Sequence, residues 1–372
     1  MPRLSDLYGQ QGQSPWLDNL RRDWLQDGTL QRWLDRGVRG VTSNPTIFEK
    51  AMSSGTAYDA QLRSLIQDGA SVLDAYWAMV KTDIVDALDL LEPLHQRSDG
   101  TDGFVSLELA PDMARNTAAS IEAARAFHTE IDRPNLFVKI PATEEGIPAI
   151  RQMIAEGRSI NVTLIFSIER YDAVVEAYLS GLEQHLDERG ADTDLGTVRS
   201  VASFFLSRVD TEVDRRLGDL GTAEASELRG RAAVAQAKLA HRLFQDRFSG
   251  PRWDALASKG AHVQRPLWAS TSTKDPSYPD TLYVDTLIAP DTVNTMPEDT
   301  LEAFDDHGTV ARTADDGVEE AEKLFARLEE LGIDVEDVSR VLEKEGVDKF
   351  ATSFDDLIQT LERRASALDP DG

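Results

Sequence analysis

The chain alternates short apolar runs with longer amphipathic segments, and this alternation predicts strands separated by helices. Eight runs are rich in apolar and β-branched residues and have the length of strands. They are SPWLDN (14–19), RGVTSN (39–44), GFVSLEL (103–109), LFVKIPA (136–142), INVTLIF (160–166), VRSVASFFL (198–206), QRPLWAS (264–270) and LYVDTLI (282–288). The first run is the weakest prediction, because Pro15 lies inside it and proline cannot donate to a strand ladder.

The segments between these runs carry apolar residues at helical spacing, most clearly over 57–91, 113–131 and 207–248. Strands that are nearly continuous in apolar character and alternate with helices favour a parallel sheet covered by helices. Eight such strands, without a glycine-rich phosphate motif, favour a closed barrel over an open sheet. We therefore predict one α/β domain over residues 1–372, a (β/α)8 TIM barrel with long inserted helices. Residues 315–367 are predicted to form an acidic helical C-terminal appendix.

Composition narrows the class of protein. The 372 residues include 66 acidic and 39 basic ones, so the formal net charge is −27, which argues against nucleic acid and anionic membranes as partners. The absence of cysteine excludes disulfides, a thiolate nucleophile and a cysteine-ligated metal. No apolar signal core and no run of transmembrane length is present, so we expect a cytoplasmic protein. The six histidines lack paired ligand spacing, and DDHG (305–308) is more typical of a loop than of a metal site.

Lys139 lies in the middle of the otherwise apolar run LFVKIPA. Burying an ammonium group costs several kcal/mol unless the group is paired or loses its proton. Either the side chain points to solvent, or the protein uses a lysine whose amine is kept neutral by desolvation.

Polar side chains recur at the ends of the predicted strands, where TIM barrels place their catalytic groups. Taken alone, each has an ordinary structural explanation, such as a turn at Asn44-Pro45 or a helix cap at Asp18. Seven strands nevertheless carry such residues at an equivalent depth, so one pocket is predicted to collect them. They are Asp18, Asn44, Glu108, Lys139, Asn161 with Thr163, Ser203 and Ser270.

A desolvated lysine, two carboxylates, amides and hydroxyls in one pocket suit Schiff-base chemistry. A neutral Lys139 amine would attack a carbonyl, and the protonated imine would accept the electrons of a breaking carbon–carbon bond. One carboxylate would take the proton of the departing alcohol, and the other would move protons during imine formation. The amides would hold the hydroxyls of a sugar-like substrate. Glycoside hydrolysis also uses two carboxylates, but it leaves Lys139 unexplained.

Several motifs, in the same order along the chain, resemble those of the transaldolases, and more specifically the longer bacterial branch with a helical C-terminal region. They are SPWLDNLRR, GVTSNPTIFEKA, LFVKIPATEEGIPAI, INVTLIFS and RPLWASTSTKDPSYPDTLYVDTLIAPDTVNTMP. The resemblance implies a class I aldolase-type barrel of the non-oxidative pentose phosphate pathway that needs neither cofactor nor metal. It implies transfer of a dihydroxyacetone unit from sedoheptulose 7-phosphate or fructose 6-phosphate to glyceraldehyde 3-phosphate or erythrose 4-phosphate. Sugar phosphates are thus the expected partners, and the sequence leaves a homo-oligomer open.

The resemblance also implies a role for each matching residue. Lys139 would form the Schiff base, and Asp18 would be the acid/base at the C4 hydroxyl of the sugar. Glu108 and Thr163 would hold the water that relays protons at the imine. The substrate would be bound by Asn44, Asn161, Ser203, Phe205, Arg208, Ser270 and Lys274.

One position departs from the family pattern. Many transaldolases carry an arginine two residues after the match to Ser270, where this chain has Ser272. Lys274 is the nearest cation and is assigned to the phosphate with Arg208; the alternative is that Lys274 balances Asp275 at the surface. Fructose 6-phosphate aldolase, a narrower relative, has tyrosine in place of Glu108, which favours transfer over simple cleavage. Two rivals stay open, a plain aldolase that releases dihydroxyacetone and a sugar-phosphate-binding protein without turnover.

Overall fold

Eight parallel strands close into a barrel in a computed structural model that describes residues 3–190 and 192–368. Each strand pairs with the next along the chain, and the last pairs with the first. The strands are β1 (Gln13–Leu17), β2 (Gly40–Thr42), β3 (Phe104–Glu108), β4 (Leu136–Pro141), β5 (Ile160–Ile165), β6 (Ser200–Phe205), β7 (Arg265–Ala269) and β8 (Thr292–Met296). The predicted (β/α)8 fold is confirmed, and β1 to β7 lie within the first seven runs or one residue beyond.

Helices cover the outside of the barrel and fill the long connections. They are α1 (Arg3–Gln11), α2 (Arg22–Gln26), α3 (Thr29–Arg36), α4 (Pro45–Ser53), α5 (Asp59–Gln67), α6 (Val72–Arg97), α7 (Thr117–Ile131), α8 (Gly146–Ala155), α9 (Ile168–Arg189), α10 (Ser207–Leu220), α11 (Ala223–Glu227), α12 (Ala232–Arg247), α13 (Gly250–Ala257), α14 (Leu282–Asp285), α15 (Glu298–His307), α16 (Val318–Glu330) and α17 (Val335–Leu368). Within the part of the chain that the structure describes, no helix is both long and apolar enough to cross a membrane.

The prediction of a strand at LYVDTLI is wrong. Its first residues form the short helix α14, in which the Tyr283 hydroxyl donates to Asp210 Oδ2 at 2.7 Å. The eighth strand is the more polar TVNTM, and all five of its residues are buried. Its polar side chains bond within the fold: Asn294 Nδ2 donates to Tyr283 O at 3.1 Å, and the Thr292 hydroxyl donates to Ala289 O at 2.6 Å. Burial of side chains that make hydrogen bonds within the fold therefore overrides the apolar pattern here.

Pro15 does not disrupt β1. The N–H group that proline lacks would point toward β2, and β1 makes little backbone pairing with β2. β1 pairs with β8 over its whole length but with β2 at Leu17 alone. The carbonyl of Pro15 faces the β2 side and accepts from Arg39 N at 2.8 Å, ahead of the start of β2. The first run is therefore a strand despite its proline.

A buried ion network around Asp102 closes the N-terminal end of the barrel. The carboxylate accepts from Arg39 Nε at 2.6 Å, Arg265 Nη2 at 3.2 Å and the Ser14 hydroxyl at 3.0 Å. Burial alone would raise the pKa of Asp102, but Arg265 and Arg39 outweigh it and hold the pKa below its ordinary value. A carboxyl with a lowered folded pKa stabilises the fold above its unfolded pKa, and this stabilisation is lost as the pH falls through the folded pKa.

Asp102→Asn is expected to lower the free energy of unfolding by about 3–5 kcal/mol, because it leaves buried guanidinium charge without a counterion. Urea unfolding at neutral pH measures the loss, which should shrink as the pH falls and the wild-type Asp102 takes up its proton. Asp89→Asn is the matched control, since Asp89 pairs with Arg133 on the surface at 2.9 Å and should change the free energy by no more than about 0.5 kcal/mol. Equal effects of the two changes would contradict a structural role for the network.

Helix α17 crosses the C-terminal mouth of the barrel. The Ser339 hydroxyl donates to Phe166 O at 2.8 Å, directly beyond β5. About four turns further on, the Ser353 and Thr46 hydroxyls share a hydrogen bond of 2.8 Å between α17 and α4. Phe354 then packs edge-on against Tyr76 of α6, with ring centroids 5.3 Å apart. The larger part of the segment that we interpreted as an appendix, α17, therefore lies across the end of the barrel where the strands deliver their polar residues.

Candidate active site

Three consecutive strands align a carboxylate, an amine and an amide at the centre of the barrel. Glu108 of β3 is the direct partner of Lys139 of β4, and Lys139 is the direct partner of Asn161 of β5. Side chains of such partners in parallel strands point to the same face. All three side chains point into the barrel and are buried.

Lys139 is held by two acceptors. Its Nζ donates to Glu108 Oε2 and to Ser43 O, both at 3.1 Å. The residue is only 5% exposed, so the alternative in which the lysine points to solvent is wrong. An ammonium group has three donor positions, and two are used by these acceptors. The amine is thus fixed in direction while the third position remains for a ligand.

Glu108 and Thr163 present buried oxygen atoms beside Lys139. Within the described residues, Glu108 Oε1 and the Thr163 hydroxyl have no hydrogen-bond partner. Burial raises the pKa of Glu108, even though the positive charge of Lys139 opposes this shift. A carboxyl with a raised pKa holds a proton at higher pH than a free carboxyl, which suits a group that passes protons on.

Asp18 lies at the end of β1 and is oriented by a pair of threonines. The Thr42 hydroxyl donates to Asp18 Oδ1 at 2.6 Å and is 2.7 Å from the Thr295 hydroxyl. Burial raises the pKa of Asp18, while Lys139 and the Thr42 hydrogen bond pull it back. The sequence analysis missed both threonines. Thr42 lies inside the quoted motif GVTSNPTIFEKA, and Thr295 was overlooked because the eighth strand was assigned too early in the chain.

The two predicted asparagines are held in different ways. Asn161 Nδ2 donates to the Ser106 hydroxyl at 3.0 Å, and its Oδ1 accepts from the Ser203 hydroxyl at 2.7 Å. The Asn161 amide is therefore held between two hydroxyl groups. Asn44 caps α4, with its Oδ1 accepting from Ile47 N at 3.0 Å. It thus has a structural role, as a helix cap where a turn was the ordinary explanation.

Most of the predicted site residues line one cavity of about 80 Å³ at the C-terminal end of the barrel. They are Asp18, Asn44, Lys139, Thr163, Ser203, Phe205, Arg208 and Ser270. Glu108 and Asn161 lie directly behind this wall, bonded to Lys139 and Ser203. A larger groove of about 530 Å³ runs along α10 and is lined by Lys274, Asp210 and Tyr278. Asp18, Glu108 and Lys139 do not line this groove.

Arg208 lies at the outer end of the cavity between two aromatic rings. Its guanidinium carbon is 5.1 Å from the ring centre of Phe205 and 5.8 Å from that of Phe350. Burial lowers the pKa of Arg208, and the carboxylates of Glu108 and Asp18 act in the opposite direction. A planar guanidinium held in this way presents its N–H groups to a planar or tetrahedral oxyanion. Phe350 belongs to α17 and was missed by the sequence analysis.

Ser270 and Lys274 follow β7 on the same side. The Ser270 hydroxyl is 2.8 Å from the Ser207 hydroxyl, and its φ of 56° turns the chain sharply after the strand. Lys274 Nζ donates to the Ser272 hydroxyl at 2.6 Å. The Lys274 side chain is exposed overall, but its charge is partly desolvated by neighbouring groups. This desolvation and the positive charge of the nearby Lys349 lower the pKa of Lys274.

The alternative in which Lys274 balances Asp275 finds no support in the contacts of Asp275. That carboxylate accepts from Ser277 N at 2.9 Å and from the Ser277 hydroxyl at 2.7 Å. It also lies 3.7 Å from Arg229 Nη2. Over 3–190 and 192–368, no group of three or more histidine, aspartate or glutamate side chains is placed to hold a metal ion.

Comparison with known proteins agrees with the geometry. A family model described as transaldolase/fructose-6-phosphate aldolase matches residues 15–361. A protein named transaldolase from Parafrankia sp. is 52% identical over 360 residues, which cover 96% of this chain and 96% of the relative. Others named transaldolase, from Thermobifida fusca and Mycolicibacterium smegmatis, are 51% and 50% identical, over 99% and 98% of this chain and 98% of each relative.

Proposed function

Because this chain belongs to the transaldolase/fructose-6-phosphate aldolase family, we propose that it performs the transaldolase reaction through a Schiff base on Lys139. The enzyme moves a dihydroxyacetone unit from a ketose phosphate to an aldose phosphate. The observation that carries the assignment of Lys139 is its burial, with Nζ fixed at 3.1 Å from Glu108 at the centre of the cavity.

In the first step Lys139 gives a proton to Glu108, and its amine then attacks C2 of the ketose phosphate and forms a carbinolamine. Loss of water then gives the protonated imine. This step needs a group that donates a proton to the departing hydroxyl, and Glu108 is the carboxyl in contact with the amine. Its raised pKa favours a protonated form that can donate, and the Thr163 hydroxyl can hold the water that is released and later consumed.

In the second step Asp18 takes the proton of the C4 hydroxyl, and the C3–C4 bond breaks. The aldose phosphate leaves, and the bonding electrons flow into the imine to give an enamine of dihydroxyacetone on Lys139. The acceptor aldehyde then enters, the enamine carbon attacks it, and Asp18 returns its proton to the new alkoxide. Because Thr42 fixes one oxygen of Asp18 at 2.6 Å, the other oxygen is the one left for the substrate.

The substrate lies along the cavity with its phosphate toward Arg208. Asn161, Ser203 and Asn44 bind hydroxyls near Lys139, whereas Arg208 with Ser270 binds phosphate oxygens at the outer end. Donors are sedoheptulose 7-phosphate or fructose 6-phosphate, and acceptors are glyceraldehyde 3-phosphate or erythrose 4-phosphate. A location in the cytoplasm and self-association stay predictions of the sequence.

Borohydride reduction in the presence of fructose 6-phosphate tests the covalent step. Peptide mass mapping is expected to find a dihydroxyacetone-derived adduct on the peptide that contains Lys139. An adduct on another lysine would defeat the assignment, and no adduct would favour the binding protein without turnover. A two-substrate assay with fructose 6-phosphate and erythrose 4-phosphate then separates the remaining rivals, because free dihydroxyacetone as the main product would identify a plain aldolase.

A further inference from the structure

One face of α17 is turned toward the mouth of the barrel. Gly346, Lys349, Phe350 and Ser353 follow the i, i+3, i+4, i+7 spacing that places residues on one side of a helix. Phe350 lines the cavity, and Ser353 bonds to Thr46 of α4. Gly346 lies against Arg208, since a carbon added to its Cα would be 3.4 Å from Arg208 Nη1. Lys349 therefore lies on the face that meets the cavity and Arg208.

Lys349 is one of four cations that converge at this mouth. Partial burial and the positive charges of Arg208 and Lys50 lower the pKa of Lys349. Partial burial and, after it, the charges of Lys349, Arg208 and Lys50 lower the pKa of Lys274. Lys50 lies one helical turn beyond Thr46, the residue of α4 that bonds to Ser353. Three helices, α4, α10 and α17, and the loop after β7 thus bring like charges together around the outer end of the cavity.

The carboxylates beside these lysines in sequence are engaged elsewhere. Asp348 pairs with Lys344 at 2.5 Å, and Asp275 lies near Arg229. The carboxylates whose charge acts on Arg208 are Glu108, Asp18 and Glu345, and the first two belong to the reaction centre. Clustered cations repel one another and are stabilised when an anion binds between them. This local repulsion exists even though the net charge of the whole chain is −27.

We propose that Lys349 of α17, together with Lys50 of α4, binds the phosphate group of the sugar substrate. This inference rests on the proposed function and deepens it. Arg208 supplies the planar fork that grips two phosphate oxygens, and the lysines add point charges from α17 and α4. They provide positive charge near the place where Ser272 stands in this chain. The bound phosphate then joins α17 and α4 to the barrel loops.

The experiment compares Lys349→Met with Lys344→Met, a matched change five residues earlier on the same helix. Isothermal titration calorimetry with inorganic phosphate measures binding to the resting enzyme. Lys349→Met is expected to raise the Kd for phosphate, and the KM for fructose 6-phosphate, about tenfold, a ratio that corresponds to about 1.4 kcal/mol. Lys349→Arg should restore most of the affinity, and Lys344→Met should behave as the wild type. The ratio of kcat/KM for fructose 6-phosphate to that for fructose should fall about tenfold in Lys349→Met.

Each outcome bears on one of the two proposals. The role of α17 would be overturned if Lys349→Met and Lys344→Met bound phosphate equally well while Arg208→Ala bound it more weakly. That result would leave the transaldolase mechanism intact. Failure of the mechanism would instead show as a wild-type enzyme without an adduct on Lys139, while phosphate binding still responded to Lys349. Hydrogen exchange gives a second measurement: phosphate should slow exchange of the amides of 345–354 in the wild type and not in Lys349→Met. Unchanged exchange in the wild type would contradict the proposal that phosphate joins α17 to the barrel.

Discussion

Lys139→Met is expected to lower the rate of dihydroxyacetone transfer on the order of 10⁵- to 10⁶-fold, as removal of a covalent nucleophile does in other enzymes. The change keeps the length of the side chain and removes the amine that forms the imine. It also leaves Glu108 without its cationic neighbour, but the raised pKa of Glu108 lets this carboxyl become neutral. The fold should therefore survive, and circular dichroism and thermal unfolding verify that it does.

Two further variants sharpen this test. Lys139→Arg keeps a positive charge beside Glu108 but cannot act as a nucleophile, because a guanidinium stays protonated; it should be as inactive as Lys139→Met. Lys81→Met removes a surface lysine that pairs with Glu130 at 2.7 Å, and it should retain full activity. Lys139 would be removed from the mechanism if the folded Lys139→Met enzyme kept more than about 1% of the wild-type transfer activity. Loss of a nucleophile should leave far less activity than this.

Asp18→Asn and Glu108→Gln are expected to be slow for different reasons. Loss of one general acid or base typically costs on the order of 10²- to 10⁴-fold in rate. Asp18→Asn keeps the hydrogen bond from Thr42 but cannot take the proton of the C4 hydroxyl, so cleavage should stop after the imine has formed. Glu108→Gln can still accept a hydrogen bond from Lys139, but it cannot pass protons during imine formation and hydrolysis.

Rapid quenching with borohydride separates the two defects. Asp18→Asn should accumulate a reducible adduct that still contains the whole ketose phosphate, at close to the wild-type rate of imine formation. Glu108→Gln should accumulate adduct slowly, with both ketose and dihydroxyacetone. The roles would be reversed if Asp18→Asn gave no adduct while Glu108→Gln gave it at the normal rate.

The first seven strands could be predicted because each combines an apolar run with a polar residue at its end. In a barrel, such a run forms a strand that is buried under helices, and the end of the strand is open to a ligand. The eighth strand could not be found in this way. TVNTM is buried through hydrogen bonds of its own side chains, for example from Asn294 to Tyr283 O, and a pattern of apolar residues gives no sign of them.

The arrangement around Lys139 was only partly predictable. The apolar run alone left open whether the side chain is buried, and the polar residues at the other strand ends favoured burial and indicated which residues meet it. The run did not reveal that Ser43 O and Glu108 both accept from Nζ, because those atoms come from other strands. Pairing of Glu108 with Lys139 depends on the register between β3 and β4, which the sequence does not state.

The contribution of α17 could not be predicted from local sequence. Its many acidic residues are typical of a solvated helix, and that description fits most of its surface. The contact between Thr46 and Ser353 joins positions 307 residues apart, and no spacing rule connects them. Phe350 and Lys349 therefore looked like ordinary positions of an amphipathic helix, although they face Arg208 and the cavity.

The crossing of the barrel mouth by α17 also fixes the order in which the barrel and the wall of the cavity form during synthesis. The barrel cannot close until β8 has been made, because β1 pairs with β8 along its whole length. The ribosome has then still to add α17, which supplies Phe350 to the wall of the cavity. Domains commonly begin to fold while the chain grows, so a closed barrel can precede a finished substrate site. The wall of the cavity is thus completed only after the strands of the barrel have been made.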